Sequence, residues 1–253
     1  MTVITIGQRK GGNGKSTSAL NLAHAFALGG KRVLLVDMDD QKNSTSAIEV
    51  AQPPVKTIED LLLDPAVTVS AVAVATTWPG VWLVAASANL SGTIRELDGE
   101  VGSHLVLKEK LAAATDFDLV LIDTSPSLNI LVVNALCASR WLFVPLSSKY
   151  FSLQGLGQTL EAFKKVQGRL NPELEILALA FVIHDRRSGL ARDVVAKAKT
   201  EYPALVCDTL VGQNIKIEEA QVLRQSILGY APEDRGAEQY RALAAELITR
   251  MGR

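Results

Sequence analysis

The eight residues Lys10-Gly11-Gly12-Asn13-Gly14-Lys15-Ser16-Thr17 carry the most legible chemistry in this chain. They follow a β-like run, Val3-Ile4-Thr5-Ile6-Gly7, and open a helical pattern that includes Leu20-Asn21-Leu22-Ala23-His24-Ala25-Phe26. A glycine-rich turn between strand and helix can aim backbone N–H groups at an oligophosphate, and the helix N-terminus adds partial positive charge. Lys15 is spaced to reach the outer phosphates, and Ser16 supplies the hydroxyl that such loops offer to Mg²⁺. The template G-x-x-x-x-G-K-[ST] wants glycine at position 9, where this chain has Arg9, and Lys10 opens the loop instead. Taken alone, Lys10 reads as a solvent-exposed lysine. At the mouth of the loop it can also fold back on its own nucleotide, or neutralise transition-state charge on a nucleotide held by a second subunit.

Two acidic segments extend this chemistry. Asp123 ends the apolar run Leu119-Val120-Leu121-Ile122, where a carboxylate can hold the Mg²⁺ shell through water; capping of the next helix is its other reading. Asp37 and Asp39 lie two apart at the end of Leu34-Leu35-Val36, so an extended backbone points both to one side. One can support the metal and the loop while the other orients a water for in-line attack on the γ-phosphate, work that needs positioning more than basicity. Asp40 reads as a solvated turn residue.

The elements that must position these groups are βα units. Strand-like runs at Thr2–Ile6, Arg32–Val36, Val81–Ala85, Leu119–Ile122, Trp141–Leu146, Ile176–Val182 and Leu205–Leu210 alternate with helical patterns. The helices are expected at Ser16–Leu28, Thr57–Leu63, His104–Ala114, Leu128–Ala138, Leu153–Leu170, Leu190–Tyr202, Ile217–Arg224 and Arg235–Met251. The alternation predicts an α/β fold, a mainly parallel twisted sheet flanked by helices, whose ligands bind at the carboxyl ends of the strands. The loop, Asp37–Asp39 and Asp123 would then converge there. Gly29-Gly30 should end the first helix.

Composition narrows the class. The 253 residues are 48% hydrophobic but 5% aromatic, suiting a Val/Leu/Ile/Ala core around a buried sheet, and no linker divides them, so residues 1–253 are read as a single domain. A net charge of −1 gives no global basic field, which confines any nucleic-acid site to a local patch. Cys137 and Cys207 lack C-x-x-C spacing and read as reduced core thiols of a cytoplasmic protein. No apolar run has the length of a membrane span, and the first strand leaves no room for a signal peptide. The three histidines are scattered, His24 reading as structural, and no acceptor constellation for a small-molecule enzyme stands out.

Together these residues resemble the ParA/MinD class of deviant Walker A P-loop ATPases, and within it the ParA/Soj partitioning ATPases. The family loop K-G-G-x-G-K-[ST]-T is matched by Lys10 to Thr17. The block L-L-V-D-x-D-P-Q-x-N is matched by Leu34 to Asp39 with Gln41 and Asn43, and D-x-x-x-I-D-x-P-P-S-L by Asp118 to Leu128. Tyr150-Phe151-Ser152-Leu153-Gln154-Gly155-Leu156 and Arg235-Gly236-Ala237-Glu238-Gln239-Tyr240 are also similar. The resemblance implies an ATP- and Mg²⁺-dependent switch with slow turnover. Its nucleotide-dependent homodimer would sandwich two ATP molecules, with Lys10 acting across the interface, Lys15 on the phosphates and Asp39 supporting hydrolysis. Nucleotide would lie on Gly11 to Thr17, with Asn214 at the adenine and Ser16, Asp37 and Asp123 around the metal. The dimer would bind nonspecific DNA, the nucleoid, through Arg187 and Lys216, and a ParB-like centromere-binding partner would stimulate hydrolysis. Departures are Asn13 for the usual valine, Asp40 for proline, Ser125 for the first of two prolines, and Gly212-Gln213-Asn214 for P-R-N. A MinD-like membrane switch would need a C-terminal amphipathic anchor, whereas the last helical pattern ends at Met251-Gly252-Arg253, so no membrane is expected. An iron–sulfur relative would need cysteines after Asp123, and there are none in that segment. A protein-cluster-positioning ATPase or a small-molecule ATP-dependent enzyme on the same scaffold are the remaining alternatives.

Overall fold

A computed structural model describes residues 1–87 and 89–252, with the side chains of residues 150–154 outside the described set. The side-chain part of the expected resemblance at Tyr150 to Gln154 therefore lies outside it; their backbone opens a helix. The strands are β1 (Thr2–Ile6), β2 (Val33–Met38), β3 (Ala73–Ala75), β4 (Val81–Val84), β5 (Leu119–Thr124), β6 (Trp141–Ser147) and β7 (Glu175–Ile183). The helices are α1 (Lys15–Leu28), α2 (Asn43–Ser46), α3 (Ile58–Leu63), α4 (Val69–Val72), α5 (Leu90–Leu97), α6 (Val106–Ala112), α7 (Ile130–Ala138), α8 (Tyr150–Arg169), α9 (Gly189–Glu201), α10 (Ile215–Val222), α11 (Ile227–Tyr230) and α12 (Arg235–Met251). Sheet order is β3-β4-β2-β5-β1-β6-β7, parallel throughout except for the edge pair β3·β4.

Strand alternation explains the position of the acidic residues. Val33 and Leu35 of β2, with Leu119 and Leu121 of β5, pack on the α1 side of the sheet. Leu34, Val36, Val120 and Ile122 pack on the opposite side. Two residues further on, Asp37 and Asp123 fall on the α1 face, and the parallel register sets them directly beside each other. Ile6 at the end of β1 pairs with the same Asp123, so the chain leaves the sheet toward the loop just beyond that row.

Leu205–Leu210 was expected to be a strand and is not. It makes one isolated parallel bridge, Leu179 with Val206. The N–H groups of the next residues, Asp208 and Thr209, turn to the Glu246 carboxylate on α12 at 3.0 and 2.9 Å, which takes them out of a ladder. Conversely, β3 and the short helices α2, α4, α5 and α11 lie where no element was expected. Three residues of Ala-Val-Ala carry no period, and the four residues each of α2, α4 and α11 carry too few repeats to show one; the eight-residue α5 is the longer element that was not expected.

The first helix ends as its glycines require. Gly30 is left-handed at φ 82°, and the N–H groups of Gly30 and Lys31 donate to Ala27 O and Phe26 O, a Schellman closure. On the same side, α12 buries Tyr240, Leu243, Ala244 and Leu247 with α1 residues in one cluster. Its apolar face is thus part of the core, and no described helix is long and apolar enough to cross a membrane. Leu243→Ala is expected to destabilise the protein by about 2–5 kcal/mol in a urea titration, because a fully buried side chain leaves a cavity between α12 and α1.

Candidate functional site

The loop is shaped by its glycines. Gly12 and Gly14 are left-handed at φ 73° and 76°. A Cβ on Gly14 would stand 2.9 Å from Val182 Cγ2, so position 14 has neither the conformation nor the space for a side chain. Gly14 is also the N-cap of α1, and no side chain caps that helix. Its first N–H groups and its dipole are left for a ligand. They border a cleft of about 640 Å³ whose other walls are Asp39, Gln41, Asn43, Ser46 and Ala47 on one side and Glu218, Gln221 and Val222 of α10 on another.

Lys15 is 7% exposed at the base of this cleft. Burial lowers its pKa, and the nearby Asp123 and Asp39 carboxylates oppose that shift. Asp123 is completely buried; desolvation, reinforced by Asp37, pushes its carboxyl up to about 7, with the Ser16 and Ser44 hydroxyls and Lys15 pulling the other way. Ser44 Oγ donates to Asp123 Oδ2 at 2.7 Å, whereas Oδ1 has no hydrogen-bond partner among the described residues. Asp39 lines the cleft, accepts from Gln41 N at 3.0 Å, and is raised chiefly by burial.

Asp37 has different neighbours from those expected of a metal-shell residue. Its Oδ2 accepts from Thr45 N and Thr45 Oγ1 at 2.8 and 2.7 Å, and its Oδ1 from Asp39 N at 3.1 Å. Burial raises it to about 6 in spite of those bonds. Thr45 Oγ1 in turn accepts from Ala86 N at 2.9 Å, so Asp37 fixes the corner that carries Asp39 rather than facing the cleft. The capping alternative for Asp123 fails, because Asn129 Oδ1 caps α7 by accepting from Leu131 N and Val132 N.

Other expected residues fall into place or out of it. Thr17 Oγ1 accepts from Gln221 Nε2 at 3.0 Å, tying the loop to α10. Asn214 does not line the cleft: its Oδ1 caps α10 by accepting from Lys216 N at 2.9 Å, and its Nδ2 donates to Asp234 Oδ1 at 2.5 Å. Without ligand, one bond at each end of the amide holds Asn214 at the start of α10. Lys216 pairs with Asp234 at 3.3 Å while remaining half-exposed, and Arg187 is exposed in the turn after β7. Asn13 is buried and turned from the cleft, its Oδ1 accepting from Ser147 Oγ at 2.9 Å. The Lys10 stem packs where a Cβ on Gly155 would lie 3.1 Å away. His24 is structural, its Nδ1 2.5 Å from Ser226 Oγ and its ring stacked on Trp78. Cys137 and Cys207 are buried free thiols. Sequence reasoning missed Ser44, Thr45, Glu218 and Gln221; only the hydroxyls directly after Asn43 gave any hint, because α10 reaches the cleft through tertiary packing.

Among the described residues no group of three or more His, Cys, Asp and Glu forms a metal cage. A phosphate-bridged magnesium ion needs fewer protein ligands. The uncapped, glycine-shaped helix start with a buried lysine defines a P-loop nucleotide-binding α/β protein. Residues 1–176 match the AAA domain family. Along its length the chain is 39% identical over 252 residues to the chromosome-partitioning ATPase Soj of Treponema pallidum, covering 99% of this chain and 98% of that one. It is 36% identical over 254 residues to the chromosome partitioning protein ParA of Caulobacter vibrioides, covering 99% and 95%. In structure it resembles cobyrinic acid a,c-diamide synthase from Mycobacterium smegmatis, crystallised with an ATP analog and magnesium, with a TM-score of 0.86, 30% identity, and coverage of 100% and 97%. The chain belongs to the ParA/Soj family of partitioning ATPases.

The carboxyl pair makes a pH prediction. Asp37 and Asp123 have folded pKa values near 6 and 7, above the ordinary 3.8, so the ligand-free folded state binds more protons than the unfolded chain between those limits. Stability contributed by this pair is therefore present at low pH and lost as pH rises through 6 to 7. Asp123→Asn is expected to raise ligand-free stability at pH 8 by on the order of 1–3 kcal/mol and to flatten the decline between pH 5 and 8 in thermal melts.

Proposed function

We propose that residues 1–253 form a single ATPase domain that works as an ATP-dependent DNA partitioning switch. The observation that carries this reading is the cleft itself, where an uncapped helix N-terminus and Lys15 meet Asp39 on the wall and Asp123 beneath. The loop N–H groups of residues 11–16 and Lys15 hold the ATP phosphates, with Thr17 kept in place by Gln221. The residues fit Mg²⁺: Ser16 offers a hydroxyl, and Asp123 Oδ1, which has no hydrogen-bond partner among the described residues, offers a carboxylate oxygen to a cation's water shell. When bound, Mg²⁺ neutralises charge on the β- and γ-phosphate oxygens. Asp37 acts behind the site by holding Asp39, and Asp39 orients the attacking water.

Lys10 acts across the interface of a nucleotide-dependent homodimer, a reading supported by the family-type loop that Lys10 opens. Arg187 contacts DNA phosphates without sequence preference. Lys216 does so less strongly, because Asp234 competes for it. A ParB-like partner stimulates an otherwise weak turnover, and the dimer resides on the nucleoid in the cytoplasm. The likeness to a diamide synthase favours a second reading, a small-molecule ATP-dependent enzyme.

ATP hydrolysis measured with and without nonspecific DNA and the centromere-binding partner separates the two. Stimulation by DNA and partner is expected, and turnover that requires a small acceptor instead would sink the partition reading. Asp39→Ala is expected to retain ATP binding and to lose turnover about a hundred-fold. Lys10→Ala is expected to lose ATP-dependent dimerisation in sizing and DNA retention with ATP; wild-type behaviour would refute the trans role.

A further inference from the structure

Asn13 turns its side chain into the protein, between two left-handed glycines, and is 2% exposed. Its Oδ1 accepts from Ser147 Oγ at 2.9 Å and, less closely, from Ser147 N at 3.4 Å, while its Nδ2 donates to Lys10 O at 3.4 Å. Ser147 is the last residue of β6, 3% exposed and 134 positions away in sequence. An apolar side chain at position 13 would remove the Ser147 Oγ–Asn13 Oδ1 bond in a buried place.

Ser147 stands at a junction. The next residue, Ser148, donates through its Oγ to Ile183 O and accepts from Asp185 N, which fastens the end of β6 to the turn carrying Arg186 and Arg187. Two residues later α8 begins, whose Gly155 packs on the Lys10 stem. Thr159 of α8 donates to Gln8 Oε1 at 2.6 Å and accepts from Arg9 N at 3.1 Å. The entrance of the loop is therefore held to α8, and its centre to the end of β6 through Asn13.

We infer that Asn13 is a positioning residue, coupling the nucleotide loop to the β6 end and thereby setting the Lys10 segment and the turn after β7. Phosphate binding relies on backbone N–H groups and Lys15, so loss of the Asn13–Ser147 bond acts on turnover and on transmission rather than on nucleotide affinity. This inference rests on the ATPase reading above.

The test compares full-length wild type, Asn13→Val, Ser147→Ala and the double variant. Each single change is expected to lower kcat about five-fold while the dissociation constant for a fluorescent ATP analogue stays within about two-fold, and the double variant is expected to fall no further. Multiplying losses in the double variant, or lowered thermal stability at unchanged kcat, would overturn the coupling. Amide exchange gives a readout independent of hydrolysis. Saturating ATP–Mg²⁺ should slow exchange in residues 10–17 and 145–149 of wild type, but only in 10–17 of Asn13→Val. Equal protection of both segments in the two proteins refutes the coupling, whereas absent wild-type turnover with this exchange pattern refutes the ATPase reading alone.

Discussion

Burial of the Lys15 ammonium at the first turn of α1 governs how the carboxyl edge of the sheet is built. A charge that far from water requires opposite charge close by, and Asp39 and Asp123 supply it. Those carboxylates are buried as well, and the β2·β5 register sets Asp37 beside Asp123, so the acids repel one another. One lysine among three desolvated carboxyls leaves the folded site holding protons at Asp37 and Asp123 that free carboxylic acids would release. A divalent cation beside Asp123 would favour the ionised form, and oligophosphate at the helix N-terminus would balance the lysine. Nucleotide and cation together thus complete an electrostatic arrangement that the protein alone leaves strained.

The phosphate loop is also a mechanical hub. Thr17 accepts from Gln221 on α10, and Asn21 on the next turn of α1 accepts from Ile227 N at the start of α11. Thr159 and Asn13 tie the loop to α8 and β6. These bonds join the loop and the first turns of α1 to segments far along the chain. Of these, α10 carries Lys216, and Ser148, next to Ser147 at the end of β6, bonds the turn after β7 that carries Arg187. That is the layout a nucleotide-controlled binding surface needs.

Much of this was legible beforehand for local reasons. The continuous apolar runs of β1, β2, β5, β6 and β7 announce parallel strands buried on both faces, and the glycines of the loop announce left-handed backbone. Asp37, Asp39 and Asp123 were found because strand ends in such sheets collect ligands. Where the reading failed, remote partners decided. Leu205–Leu210 has strand-like residues, yet Glu246 on α12 takes the N–H groups at 208 and 209.

The sequence by itself determined the phosphate loop, the run of βα units and the set of acidic residues, because glycine conformations, strand alternation and helix starts depend on near neighbours. Tertiary structure alone decided what each polar side chain in that set does. Asp37 became a brace for Asp39 because Thr45 meets it, Asp123 kept a bare oxygen because Ser44 reaches only one of two, and Asn13 became a tie because the end of β6 passes behind the loop. A hydrogen bond is set by a partner's position to within tenths of an ångström, and spacing along the chain does not specify that position when the partner comes from another strand or helix.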